Sequence, residues 1–434
     1  MVVTEAQNKL QNGIELSQNG KQLEALQEFQ KALEMFTEAK EITKTADVLL
    51  EMGISYFKLE KYEYAEESYR NALNLYKNTK DHIGEAYSLV GIADVLEKKE
   101  RHEEARRIYR QAIHKFRKEE SYDKEAMVIS HLAESFEAQG ALQDAIYEHE
   151  RSIEIYHKAG KKAEEAKITT LKEVLEKKFS KVKPTRIEAI SLFIYLALLI
   201  LSEILTTYSN MKVGLFIHSA ILFALLIQSS LTDRYTFAAL LRSMMILPMI
   251  RIIGLSMPIM QIDPLYWFPI IAIPLFAATA VLMRLQGISR RRIGIIWGKI
   301  PVQILIALTG IVLGYIEYQI LTPDPLIPTF NLVNLISGFI IITLATGLAE
   351  ELLFRGIVQK NAEDVLGMFL GLLYTALLFT SLHVGWESSI DLIFVFSVAM
   401  FYGYAFQKTR SLLGITLSHG ISNTVLFLIM PFVI

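Results

Sequence analysis

From Ile187 to the C-terminus, apolar runs of about 20 residues recur between short polar breaks, and a backbone in hydrocarbon must bond every N–H and C=O within its own segment. Such runs fold as membrane-spanning helices. Nine candidate segments lie at 187–206, 212–231, 236–257, 265–285, 302–322, 333–358, 366–386, 389–406 and 411–432. Eight spans fit nearly as well, because the third run contains Arg242 and Arg251. Residues 1–186 are of another kind. Of the chain's 44 Lys+Arg and 46 Asp+Glu they hold 31 and 34, leaving 13 and 12 for residues 187–434. The expected chain is all-α and in unlike parts: a domain over 1–180, a basic linker over 181–186 and a polytopic membrane bundle over 187–434.

The first part repeats itself every forty residues. Ala25, Ala65, Ala105 and Ala145 form one column; Phe29, Tyr69, Tyr109 and His149 form a second; Ala32, Ala72, Ala112 and Ser152 a third. Two further columns are Phe36, Tyr76, Phe116 and Tyr156, then Ala46, Ala86, Ala126 and Ala166. Small residues where helices approach, aromatic residues at helical spacing and turn residues such as Gly20 and Gly140 describe stacked helical hairpins. The columns resemble the tetratricopeptide repeat (TPR) in a long variant. The resemblance covers residues 6–166 as four repeats, with 167–180 read as a capping helix. The columns themselves are core packing. A concave surface between them implies an unidentified protein partner.

Charge and composition exclude several classes. The net charge of −2 does not suit a nucleic-acid binder. With no cysteine, disulfides, thiolate metal sites and a cysteine nucleophile are ruled out. The start, MVVTEAQNKL, has neither a basic head nor an apolar run, so no cleaved signal peptide is expected. Lys177, Lys178, Lys181, Lys183 and Arg186 precede the first span, and Arg284, Arg290, Arg291, Arg292 and Lys299 follow the fourth. By the positive-inside rule these loops and the repeat domain are cytoplasmic. The expected location is a bacterial inner membrane, in contact with lipid. GIVLG (Gly310 to Gly314) and GMFLG (Gly367 to Gly371) are helix-packing strings. Glu203 and Glu317 need burial or an interfacial position, and His218, with no polar residue at helical spacing, is read as a packing histidine.

Three strings near the C-terminus stand out: EELLFR from Glu350, FTSLH ending at His383, and HGISN from His419. Each sets two polar or aromatic residues four apart on one helix face. Ionisable groups in a bilayer are costly and mark function by default. At the rise of an α-helix, Glu350, His383 and His419 all reach mid-membrane. A carboxylate desolvated among Leu and Phe becomes a usable base near neutral pH. Imidazole and amide donors can stabilise a developing oxyanion, and Glu351 and Arg355 form an ion pair at i,i+4.

Taken in order on successive membrane helices, the strings resemble the CAAX-protease and bacteriocin-processing (CPBP, or ABI) family of intramembrane proteases, over about residues 300–434. No motif position departs from the family pattern. The resemblance implies an endopeptidase acting on a membrane-associated protein or peptide. In it, Glu350 and His383 activate water and His419 and Asn423 support the oxyanion. Glu351, Arg355 and Phe379 are supporting residues, with Phe379 walling the pocket. No cofactor is favoured. If a divalent metal such as zinc is used, Glu350, His383 and His419 are its ligands, although the zinc signature HExxH is missing. The absence of GxGD and GxSG strings argues against aspartyl and serine intramembrane proteases. Two other classes stay open: a non-catalytic membrane-anchored TPR adaptor, and a transporter that relays protons through the buried carboxylate.

Overall fold

The computed structural model describes residues 2–255 and 263–434. All regular structure among them is helical, and contacts divide the chain into two units, Met1–Lys177 and Lys178–Ile434.

In the first unit, helices α1 (Val2–Gln18), α2 (Gln22–Glu38), α3 (Ile42–Lys58), α4 (Tyr62–Thr79), α5 (His82–Lys98), α6 (His102–Lys118), α7 (Tyr122–Ala138), α8 (Leu142–Lys158) and α9 (Lys162–Phe179) follow one another. The turns between them recur with the same geometry. Residues 20, 40, 60, 80, 100, 120, 140 and 160 all have positive φ, between 53° and 80°. Each turn closes the helix before it by a bond from the next N–H to the carbonyl five residues back, as from Arg101 to Leu96 at 2.9 Å. Glycine accepts this conformation freely at 20, 140 and 160, whereas Lys or Glu adopts it at the other five. The alanine and aromatic columns are buried from Ala25 through Tyr156. Ala166 departs from its column and is exposed, because α9 has no following hairpin to cover it. The closing helix also begins at Lys162, earlier than the expected 167.

Among the described residues, the second unit has eight helices long and apolar enough to cross a membrane. They are α10 (Arg186–Tyr208), α11 (Met211–Leu231), the pair α12 (Tyr235–Met244) and α13 (Ile246–Gly254), α14 (Pro264–Gln286), α15 (Ile300–Leu321), α16 (Leu332–Leu366), then, after the short α17 (Met368–Ser381), α18 (Ser389–Thr409) and α19 (Leu413–Val433). The chain enters the first span through a capping box, with the Glu188 N–H on Thr185 Oγ1 at 3.3 Å and the Thr185 N–H on the Glu188 carboxylate at 2.7 Å. Pro248 has no N–H to give the Met244 carbonyl, and the α12–α13 span is interrupted at Met245. The end of the expected third segment, past residue 255, lies outside the described residues.

Two expected boundaries move, for one reason: hydropathy does not distinguish burial in protein from burial in lipid. The segment expected to end at 358 runs on to Leu366, since Lys360, Asn361, Glu363 and Asp364, which read as a polar break, are buried and bonded, Lys360 to Asp364 at 3.2 Å. The segment expected at 366–386 is only 14 helical residues, Met368–Ser381. His383 therefore lies beyond a helix end instead of inside a span.

Small residues set the closest packing. A Cβ on Gly310 or Gly314 of α15 would meet the Ser418 or Ser422 carbonyl oxygen of α19 at 2.2 or 2.3 Å. One on Gly420 of α19 would meet Thr343 Oγ1 of α16 at 2.3 Å. GIVLG is thus a packing string against α19. GMFLG works differently: Gly367, at φ 81°, makes the turn between α16 and α17, and Gly371 packs on the Glu363 backbone.

Two outcomes are expected from this geometry. Glu100→Gly should stabilise the repeat domain, and Gly140→Ala destabilise it, by about 1 kcal/mol each, because a Cβ in the left-handed region is penalised and the space around Gly140 is open. Denaturant titration followed by circular dichroism checks both signs. Gly310→Ala should cost about 1 to 3 kcal/mol by forcing α15 from α19, while Val312→Ala, on an exposed face of the same helix, should leave the melting temperature in detergent unchanged.

Candidate active site

The strings EELLFR, FTSLH and HGISN meet around one cavity of about 310 Å3 in the membrane unit, room for about ten waters. Glu350, Phe379, His383, His419 and Asn423 all line it. Glu351 and Arg355 do not, being fully buried behind its wall. Two adjacent glutamates are thereby separated: Glu350 is half-buried and open to the cavity, Glu351 is sealed.

The local backbone of α16 departs from a regular α-helix here. Ala349–Leu353, which carries both glutamates, is flanked by π-helical turns at Thr343–Leu348 and Phe354–Gln359, and a third lies at Val425–Ile429, just after Asn423. Such widened turns concentrate at functional sites. The ion pair expected from spacing forms nevertheless, with Arg355 Nε 3.1 Å from Glu351 Oε2. Glu351 does more than the spacing implied. Its Oε1 accepts from His419 Nδ1–H at 2.9 Å, which fixes the imidazole and leaves Nε2 toward Glu350, 4.0 Å from Oε2.

His383, in the turn after α17, donates from Nδ1–H to the Phe379 carbonyl at 3.1 Å, so in the neutral ring Nε2 is left as an acceptor. Phe379 packs against His383 at 4.8 Å between ring centroids and against His419 at 6.3 Å, while the Arg355 guanidinium lies 4.7 Å over its face. It is a wall and a spacer at once. Asn423 donates one amide hydrogen from Nδ2 to Thr346 Oγ1 at 3.1 Å, which leaves the second hydrogen unassigned to that bond.

Further residues share the cavity that spacing did not select. Thr346 sits one turn before Glu350 and Ser422 adjoins Asn423, while Tyr402 of α18 bonds Ser418 at 2.9 Å next to His419. Arg251 and Glu317 also line it, and the signal for both was the cost of a lone charge in an apolar run. His218 corrects the reading as a packing residue. Its Nε2 is 3.1 Å from Ser202 Oγ and 3.3 Å from Glu203 Oε1, companions supplied by a neighbouring helix that no spacing along its own helix could reveal. Among the described residues, no three His, Asp or Glu side chains are gathered into a group that could hold a metal ion.

Sequence comparison reaches the same segment. Residues 332–425 match the family described as type II CAAX prenyl endopeptidase Rce1-like, and residues 44–118 and 86–158 match the tetratricopeptide repeat. No curated protein matches the sequence. Solved structures similar to the chain include TPR-like repeats of a putative kinesin light chain from Podosopora anserina, at 14% identity over 41% of this chain and 98% of that one, TM-score 0.32. Aspartyl phosphate phosphatase F from Bacillus subtilis is similar at 16% identity over 51% of this chain and 62% of that one, TM-score 0.35. BtubC from P. vanneervenii is similar at 11% identity over 42% and 92%, TM-score 0.26. Residues 332–425, which contain Glu350, His383, His419 and Asn423, thus match an Rce1-like CAAX protease domain, in a chain with several helices long and apolar enough to cross a membrane and with tetratricopeptide repeats in its N-terminal part.

Proposed function

We propose that the protein is an intramembrane endopeptidase that hydrolyses a peptide bond of a membrane-associated protein or peptide. The observation that carries this reading is the separation of the adjacent glutamates: Glu350 opens to a cavity shared with His383, His419 and Asn423, while Glu351 is committed to Arg355 and His419. A network that only pinned helices together would have no use for a half-buried carboxylate open to a cavity with room for several waters.

In the reaction, Glu350 takes a proton from a water that also donates to His383 Nε2, and the hydroxide adds to the substrate carbonyl. Negative charge collects on the carbonyl oxygen. The free Nδ2–H of Asn423 donates to it, as does Nε2–H of His419 in its doubly protonated form, whose Nδ1–H the Glu351 carboxylate accepts. The proton held by Glu350 passes to the departing amine as the C–N bond breaks. Arg355 and Glu351 orient His419, and Phe379 holds the two imidazoles apart. The chemistry is metal-free in this proposal. Two acceptors already address the water, and Asn423 is a poor zinc ligand.

The repeats recruit the substrate or a regulatory protein from the cytoplasm, following the basic flanks of the first and fourth spans, and the membrane is a bacterial inner membrane.

Three outcomes test the proposal. Purified protein in detergent should cleave a peptide from a library of membrane-associated sequences, and Glu350→Ala should lower kcat by roughly 10²- to 10⁴-fold or more without moving the melting temperature. Full activity in that variant sinks the hydrolase reading. Asn423→Ala should cost roughly 10²- to 10³-fold in kcat, with KM little changed. After exhaustive chelation, elemental analysis should find far less than one zinc per active protein. Stoichiometric zinc that tracks activity through removal and return would recast Glu350, His383 and His419 as ligands.

A further inference from the structure

Glu203 on α10, His218 on α11 and Arg251 on α13 meet inside the membrane unit, all upstream of the Rce1-like segment. Glu203 and His218 are fully buried. Arg251 Nε–H donates to Glu203 Oε1 at 2.8 Å, and His218 Nε2 lies 3.3 Å from the same oxygen. Matched in charge, the arginine reaches further. Its Nη2–H donates to the Leu382 carbonyl at 2.8 Å, and its side chain lines the cavity.

Leu382 closes α17 and directly precedes His383, so its carbonyl is one of the acceptors that a helix end leaves without a partner of its own. A cation there satisfies the acceptor and suits the negative end of the helix dipole. Glu350, His419 and Asn423 are carried inside helices. His383 is not, and the turn that carries it continues to Glu387 at φ 56°. Its ring bonds back to the Phe379 carbonyl, but its backbone lies past the end of α17, and it is this residue that sits beside an external tie.

We propose that Arg251, held by Glu203 and His218, is a positioning residue that fixes the Leu382–His383 turn and so aims the His383 imidazole into the cavity. Its action on rate rests on the hydrolase reading; its action on the turn does not.

The test uses full-length protein in detergent as wild type, Arg251→Met, Arg251→Lys and Glu203→Gln. Diethyl pyrocarbonate modification of His383 and His419 is quantified in the same digest at one pH, and kcat and KM are measured separately. In Arg251→Met the His383 to His419 modification ratio should rise several-fold, with kcat falling roughly a hundredfold and KM changing by less than about twofold. Arg251→Lys should restore the ratio and part of kcat, since an ammonium still reaches the Leu382 carbonyl. An unchanged ratio in Arg251→Met overturns the proposal, as does an equal rise at both histidines with a lowered melting temperature. Should Arg251→Met fail to fold, Glu203→Gln decides: a raised ratio supports the tie and an unchanged one overturns it. A shifted ratio in a protein that cleaves no peptide upholds the tie and removes the hydrolase reading alone.

Discussion

The Glu351 carboxylate is the point on which the polar wall of the cavity depends. It holds Arg355 along its own helix and His419 from α19, with Arg355 in turn spread over Phe379 of α17. An isolated charge in hydrocarbon costs roughly 2.5 to 3.5 kcal/mol even on the lenient insertion scale. Sliding α16 against α19 would leave Glu351 paired with Arg355 alone and the His419 Nδ1–H without its acceptor, so register between these helices is fixed by hydrogen bonding as well as by shape. The orientation of Glu350 follows, because it occupies the next position on the same backbone.

Close approach supplies the rest of that register. Gly310, Gly314 and Gly420 let backbone and small side chains touch where any Cβ would collide, and these contacts fall beside Ser418, Ser422 and Thr343, residues interleaved with the cavity lining. In a bilayer apolar side chains gain little from meeting one another, and packing of small residues does the work that burial does in water. The last helix is thus gripped from two sides just where His419 and Asn423 project.

Much of this was legible in the sequence, and what was not has a physical cause. The forty-residue period defines the hairpins because every repeat meets the same neighbours, and it fails at Ala166 where the neighbours stop. The apolar runs give the spans, yet they misjudge α16 at its polar end and α17 at its length. Hydropathy registers absence of water, which Lys360 and Asp364 also experience inside protein. The strings that carry Glu350, His383, His419 and Asn423 stood out because each sets two polar or aromatic residues four apart, a spacing FTSLH keeps although His383 lies past the end of α17. Arg251, Glu203 and His218 were invisible as a group, since their proximity arises from three different helices. The π-helical turns around Glu350 left no mark in composition at all.

The eight left-handed turns of the repeat domain have a consequence for how this chain can change over time. Each is closed by the chain's own bonds, with the same conformation whether the residue is Gly, Lys or Glu. Junction geometry is therefore nearly independent of junction sequence, and an in-frame duplication or loss of one hairpin would meet compatible ends wherever it fell. The reach of the repeat array can therefore be lengthened or shortened by inheritance in whole hairpin steps.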